Sequence, residues 1–286
     1  MNRHFTSRIV WLAACVLAAV SLMGCGDDDP VVAPNNAEPS FDNIWPAAIG
    51  NHWAYNIVDY AIPRSNALYA TAAEVPAPPS MEELYSALMG KQAYNDPEIY
   101  RGTFHLRFSE DISQSPELVV LRLNNETVDI AGNPYPPSPL WLGQVWVRSA
   151  TRIAYSAAGT TGWVHLDGAL TPDHEFSVEL PAIVATQLTT RVWRNIKYDA
   201  LGTVYANCIE CFYVLDEGVR REGTAYETQG YYREYAYGVV VYAPELGPVY
   251  CHEMTSMGYA AWSNREATIC SFANEATGAS AVDGRQ

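Results

Sequence analysis

Tyr100-Arg101-Gly102-Thr103-Phe104-His105-Leu106-Arg107-Phe108-Ser109 decides the fold class. Tyr100, Phe104, Leu106 and Phe108 alternate with Arg101, Thr103, His105, Arg107 and Ser109. Successive side chains of a strand point to opposite faces, so this period of two predicts a half-buried β-strand with an aromatic inner face and a charged outer one. Eleven further segments, from Trp53–Tyr60 to Ala267–Phe272, read the same way. Turn-forming clusters such as Asn133-Pro134, Asp199 to Gly202, Asp216 to Gly218 and Pro244 to Gly247 separate them. One stretch has helical spacing: Met81 to Met89, with Ser80 as N-cap, Glu82 and Glu83 in the first turn and Gly90 after the end. The expected fold is mainly β, a single large curved antiparallel sheet or open barrel with one short helix, over residues 41–274. A signal peptide (1–24) and a lipidated, disordered tether (25–40) precede it, and a frayed tail (275–286) follows.

The amino terminus has three parts. Arg3 and Arg8 make a basic start, Ile9 to Met23 is an uncharged apolar run, and a small-residue processing site follows. The run is short for a roughly 30 Å hydrocarbon core, so a cleaved signal is expected in place of a permanent span. Its end, Leu22-Met23-Gly24-Cys25, resembles the lipobox of bacterial lipoproteins. That resemblance implies a diacylglyceryl thioether on Cys25, cleavage before it and acylation of the new amino group. At about 0.8 kcal/mol per buried CH₂, two or three acyl chains hold a protein that one chain would release. Gly26 stands where an aspartate would favour inner-membrane retention, which points to the outer membrane. Gly26 to Ser40, acidic and then rich in Pro, Ala and Asn, has almost nothing to bury; its 15 residues span up to roughly 50 Å at about 3.3 Å each.

Cleavage would leave 262 of 286 residues, and 15 basic against 32 acidic side chains, for a formal charge of −17. A chain this acidic repels phosphate backbones, so nucleic acid is not an expected partner. With 12% aromatic residues, a packed globule is expected.

Four cysteines fall in the β domain: Cys208, Cys211, Cys251 and Cys270. An even number in an exported protein predicts two disulfides. Cys251 with Cys270 is the first expectation, if the last two strands form a hairpin, and Cys208 with Cys251 stays open as a cross-pairing. A redox Cys208-x-x-Cys211 pair and a zinc site including Cys251-His252 are weaker readings. The pair lies in a strand, away from the helix start that would stabilise a thiolate, and zinc would need four reduced thiolates in an oxidising compartment. No metal or other cofactor is expected.

Three segments together resemble a group of uncharacterised bacterial lipoproteins with a β-rich periplasmic domain. A pattern like F-P-L-x-x-G-N-x-W-x-Y appears as Ile44-Trp45-Pro46-Ala47-Ala48-Ile49-Gly50-Asn51-His52-Trp53-Ala54-Tyr55. One like A-G-T-F-x-x-C-x-x-V is resembled by Leu201-Gly202-Thr203-Val204-Tyr205-Ala206-Asn207-Cys208-Ile209-Glu210-Cys211, and one like Y-Y-A-P-G-V-G-L-V by Val241-Tyr242-Ala243-Pro244-Glu245-Leu246-Gly247-Pro248-Val249-Tyr250. Glu245, Pro248 and the additional Cys211 depart from the patterns. The resemblance implies a curved antiparallel sheet and carries no activity. The residues themselves read as turns and packing, because glycines and aromatics at such positions usually serve those ends.

No catalytic signature is present. His52, His105, His165, His174 and His252 are scattered and read as surface or turn residues, without His-Glu-x-x-His or Gly-x-Ser-x-Gly. Carboxylates are too abundant for any pair to be singled out as a glycosidase site. The most suggestive binding feature is the stripe Tyr231, Arg233, Tyr235 and Tyr237, whose rings could stack on sugars or line an apolar groove, or simply belong to an aromatic-rich strand. The leading expectation is a lipid-anchored, non-enzymatic binding or structural module of the bacterial cell envelope. Its partners would be the membrane, through the lipid, and an envelope protein, a glycan or an apolar ligand. The alternatives are a periplasmic carrier or chaperone for an apolar ligand, and an envelope glycan-acting enzyme. An apolar cavity under the sheet would favour the carrier, and a densely filled core would count against it.

Overall fold

The computed structural model describes residues 37–63, 67–90, 98–134, 145–156, 163–179, 187–200, 203–224, 227–256, 261–274 and 279–280. The signal segment, Cys25 and the tether up to residue 36 lie outside the described residues, as does most of 275–286. Among those described, the strands are β1 (Asn51–Pro63), β2 (Glu98–Asp111), β3 (Val119–Asp129), β4 (Val145–Ser149), β5 (Arg152–Ser156), β6 (Trp163–Asp167), β7 (His174–Glu179), β8 (Gln187–Ala200), β9 (Thr203–Gly223), β10 (Thr228–Ala243), β11 (Gly247–Ser256), β12 (Ala261–Asn274) and β13 (Ala279–Ser280). One helix, α1 (Met81–Met89), has the bounds that the sequence predicts.

Twelve strands form one antiparallel sheet in the order β6-β5-β4-β3-β2-β1-β12-β11-β10-β9-β8-β7, with β13 appended to β12. The meander therefore runs outward in both directions from the β1–β12 pair, which joins the two ends of the domain. The sheet curls until its end strands β6 and β7 meet, giving a nearly closed barrel. His174 Nε2 lies 2.8 Å from the Asp167 carbonyl at the root of that seam.

Side-chain alternation determines which face becomes the interior. Tyr100, Phe104, Leu106 and Phe108 of β2 are buried, whereas Arg101 and Arg107 are exposed and Thr103 and His105 half-buried. This is the inverse of the apolar-out, polar-in pattern of a lipid-spanning barrel. No helix among the described residues is long and apolar enough to cross a membrane.

Helix α1 begins with a reciprocal cap: Ser80 Oγ accepts from the Glu83 amide at 3.3 Å, and the Glu83 carboxylate accepts from the Ser80 amide at 2.9 Å. Leu84 and Leu88 then cover a second apolar cluster on the outside of the wall, made of Phe212, Val214, Tyr237, Val239 and Met254. At roughly 1.5–3 kcal/mol for each fully buried leucine, this contact is what keeps a nine-residue helix, too short to persist alone, in place.

Candidate functional site

The chain enters the barrel directly after the stretch that reads as a tether. Ser40 and Asn43 clasp one another, the Ser40 amide donating to Asn43 Oδ1 at 2.8 Å, and this turn drops Ile44 and Trp45 into the lumen. Trp45 is fully buried with ring centroids of Trp53, Phe108, Trp146, Tyr155 and Tyr242 at 5.8–6.1 Å. The segment is a plug built from the protein's own amino terminus.

The β10–β11 turn receives it. The Glu245 amide donates to the Asn43 carbonyl at 2.7 Å, the Trp53 indole to the Leu246 carbonyl at 2.5 Å, and the Tyr55 hydroxyl to the Pro248 carbonyl at 2.9 Å. Gly247 has φ +88°, a conformation that strains any side chain, and a Cβ there would crowd Trp45 Cδ1 at 3.1 Å. Asn207, in the left-handed region at φ 54°, extends its amide toward the Ala37 carbonyl at 3.5 Å. The three segments that the sequence singled out thus converge on one place, the docked amino-terminal segment, and each does structural work there.

Beside the plug a cleft of about 830 Å³ opens among the loops at this end of the barrel. Phe41, Val119 and Leu170 make its apolar part, and Asp42, Glu117 and Arg148 its charged rim. Arg148 is latched: its Nη1 donates to the carbonyl of Asp42 at 2.9 Å, and its guanidinium lies 6.0 Å from the Trp146 ring centroid. The cleft combines an apolar floor with a cation at the edge, beside Pro39 and Ser40.

Within the barrel, away from Trp45, lies a buried charged group. Arg265 forms a two-pronged pair with Asp59, Nε to Oδ1 at 2.9 Å and Nη2 to Oδ2 at 2.8 Å, and the Ser263 hydroxyl donates to the same carboxylate at 3.1 Å. Glu253, opposite Arg265 in the β11–β12 register, accepts from the Tyr213 hydroxyl. Burial opposes the charged form of Arg265, but the hydrogen bonds and charge of Asp59, with Glu253 behind, outweigh it and raise its pKa. Burial likewise holds the Tyr55, Tyr155, Tyr213 and Tyr242 hydroxyls well above the ordinary range, so they remain neutral. On the outer face, burial raises the pKa of Glu210 despite a 2.7 Å hydrogen bond donated by Tyr85.

The tyrosine stripe is largely committed to the fold. Tyr237 is buried under α1, Tyr235 is half-buried with its ring centroid 6.1 Å from that of Tyr237, and Arg233 grips Asp216 at 2.6 and 3.0 Å. Tyr231 exchanges two backbone hydrogen bonds with Tyr69, which takes up the edge of β10 beyond the end of β11.

The disulfide expectation is corrected: among the described residues the structure forms no disulfide. Cys208 and Cys211 are three strand positions apart, about 10 Å, beyond the roughly 7 Å Cα separation that a bridge tolerates. Cys251 pairs with Ala267, which leaves Cys270 three positions along, at the bulge where β12 passes Ala54 and Tyr55. Cys211 and Cys251 both lie opposite Val240, hence about 9.5 Å apart across two strand spacings, and Cys208 is further still.

No protein-family model matches the chain, and no curated protein sequence does. Two solved structures resemble it. One, a protein of Bacteroides fragilis described as exported and of YmcC-like fold, has a TM-score of 0.39 and 12% identity over 81% of this chain and 99% of that one. The other, from Parabacteroides distasonis and described as a lipoprotein, has a TM-score of 0.38 and 9% identity over 83% and 100% respectively.

Proposed function

We propose that the chain is a lipid-anchored lipoprotein of the bacterial cell envelope, held at the outer membrane through Cys25, whose barrel acts as a non-enzymatic binding or structural module. The observation that carries this reading is the plug. Ile44 and Trp45, the first residues after the stretch that reads as a tether, fill the lumen, so a chain held through Cys25 would join the barrel at its plugged end. The aromatic packing around Trp45 argues against the carrier alternative, since an acyl chain would have to displace five ring contacts to enter.

Replacing Cys25 with Ser should move the protein from the membrane fraction to the soluble fraction and abolish labelling by a radioactive fatty acid. Membrane retention of the unlabelled variant would overturn the anchoring. Stoichiometric uptake of a fluorescent fatty acid by the native protein would favour the carrier instead.

A further inference from the structure

His52 and His105 are 53 residues apart in sequence and meet on the outer face of the β1–β2 pair. In the antiparallel register His105 lies opposite Ala54 and His52 opposite Arg107, so the two histidines are diagonal neighbours. His52 Nε2 is 3.2 Å from His105 Nδ1, the ring planes are within 9° of parallel and the centroids 5.3 Å apart. The imidazoles are therefore near-parallel and offset, and touch through their ring nitrogens. A neutral pair in this arrangement shares one N–H between two ring nitrogens. Both rings are half-buried, held by the wall and open at the edge.

Borderline divalent metals bind imidazole nitrogen at about 2.0–2.1 Å, so two ligands at right angles or tetrahedral angles to one another stand roughly 2.9–3.4 Å apart. The observed separation falls inside that interval. At this separation an ion cannot sit on the N···N line, so binding requires both imidazoles to turn until their lone pairs converge on a point off that line, with release of the shared proton. We propose that His52 Nε2 and His105 Nδ1 together bind one divalent transition-metal ion of the Zn²⁺, Ni²⁺ or Cu²⁺ class. No third His, Cys, Asp or Glu among the described residues is placed to complete an all-protein site, so water fills the remaining positions. Glu126, exposed and directly cross-strand from His105, supplies compensating negative charge, while Arg107 beside His52 opposes it. A two-ligand, solvent-completed site exchanges its ion readily; it suits capture or sensing of metal in the envelope and not structural support.

Zn²⁺ titration of the full-length, detergent-extracted protein, followed calorimetrically, tests the site. One equivalent should bind, with affinity falling as the pH is lowered because metal displaces protons. His52→Ala and His105→Ala should each weaken binding by at least about tenfold, since even loss of an outer-shell partner costs on the order of 10–100-fold, while His174→Ala leaves it unchanged. Absence of uptake, or uptake unaltered by either variant, would overturn the proposal. Should a variant fail to fold, the native protein loaded with one equivalent of Cu²⁺ still decides: electron paramagnetic resonance should show coupling to two imidazole nitrogens, and a spectrum with none or one would refute the pairing.

Discussion

Trp45→Ala removes the centre of the plug while leaving every strand intact. A tryptophan buries on the order of 200–250 Å², which at about 25 cal/mol per Å² corresponds to roughly 5–6 kcal/mol. Compaction of the unfolded chain lowers this by about 10–40%, to roughly 3–5 kcal/mol, the range typical of large aromatic deletions from cores. The side chain is fully buried and is ringed by five aromatic neighbours, so the surrounding side chains have little freedom to collapse into the void. For a domain of this size the melting temperature should fall by about 6–20 °C. Urea denaturation followed by far-ultraviolet circular dichroism should show a lower midpoint at an unchanged m-value. A stability within about 0.5 kcal/mol of the native protein would mean that the Ile44–Trp45 segment rests on the barrel without filling it.

Asp59→Ala strands the Arg265 guanidinium in the interior and should destabilise the protein by about 3–5 kcal/mol, whereas the apolar double change Asp59→Leu with Arg265→Met should cost clearly less; equal losses in urea titrations would contradict this account of the pair. Glu210→Gln should stabilise the fold at neutral pH. Burial raises the folded pKa of Glu210 above its unfolded value, so the folded state binds more protons in that interval and stability falls as pH rises through it. The advantage of the glutamine should shrink as pH falls toward the ordinary carboxylate range, and a pH-independent difference would dismiss the explanation. Burial pushes the Cys208 thiol up to about 12 and the Cys211 thiol well above its usual range. Both should alkylate slowly at pH 8 in the folded protein and rapidly in urea, as read by mass spectrometry; fast native labelling of Cys208 would conflict with its buried position.

Alternation along Tyr100 to Ser109 was enough to assign β2 and its inner face, because a strand's period of two is a local property of the backbone. The same holds for α1, whose Ser80 and Glu83 cap is complete within four residues. The strand reads were less secure where pairing prolongs a strand beyond its own pattern. The segment expected over Asn207 to Leu215 became β9 from Thr203 to Gly223, because β8 and β10 both hydrogen-bond along it.

Pairing was not legible at all. The cysteines failed to bridge because the β11–β12 register sets Cys251 against Ala267, and register depends on how the whole sheet packs. The Tyr231 to Tyr237 stripe reads equally as a binding surface or as part of an aromatic-rich strand, and α1, about 150 residues earlier, covers Tyr237. His52 and His105 read as isolated surface residues for the same reason: nothing in a one-dimensional pattern records that β1 and β2 bring them to 3.2 Å. The chain by itself determined the β class, the inward faces and the single helix, all of which follow from local periodicity and short motifs. Closure of the barrel, its amino-terminal plug, the Asp59–Arg265 pair and the meeting of the histidines were decided only by tertiary structure, because each depends on contacts between segments whose separation along the chain carries no signal of their distance in space.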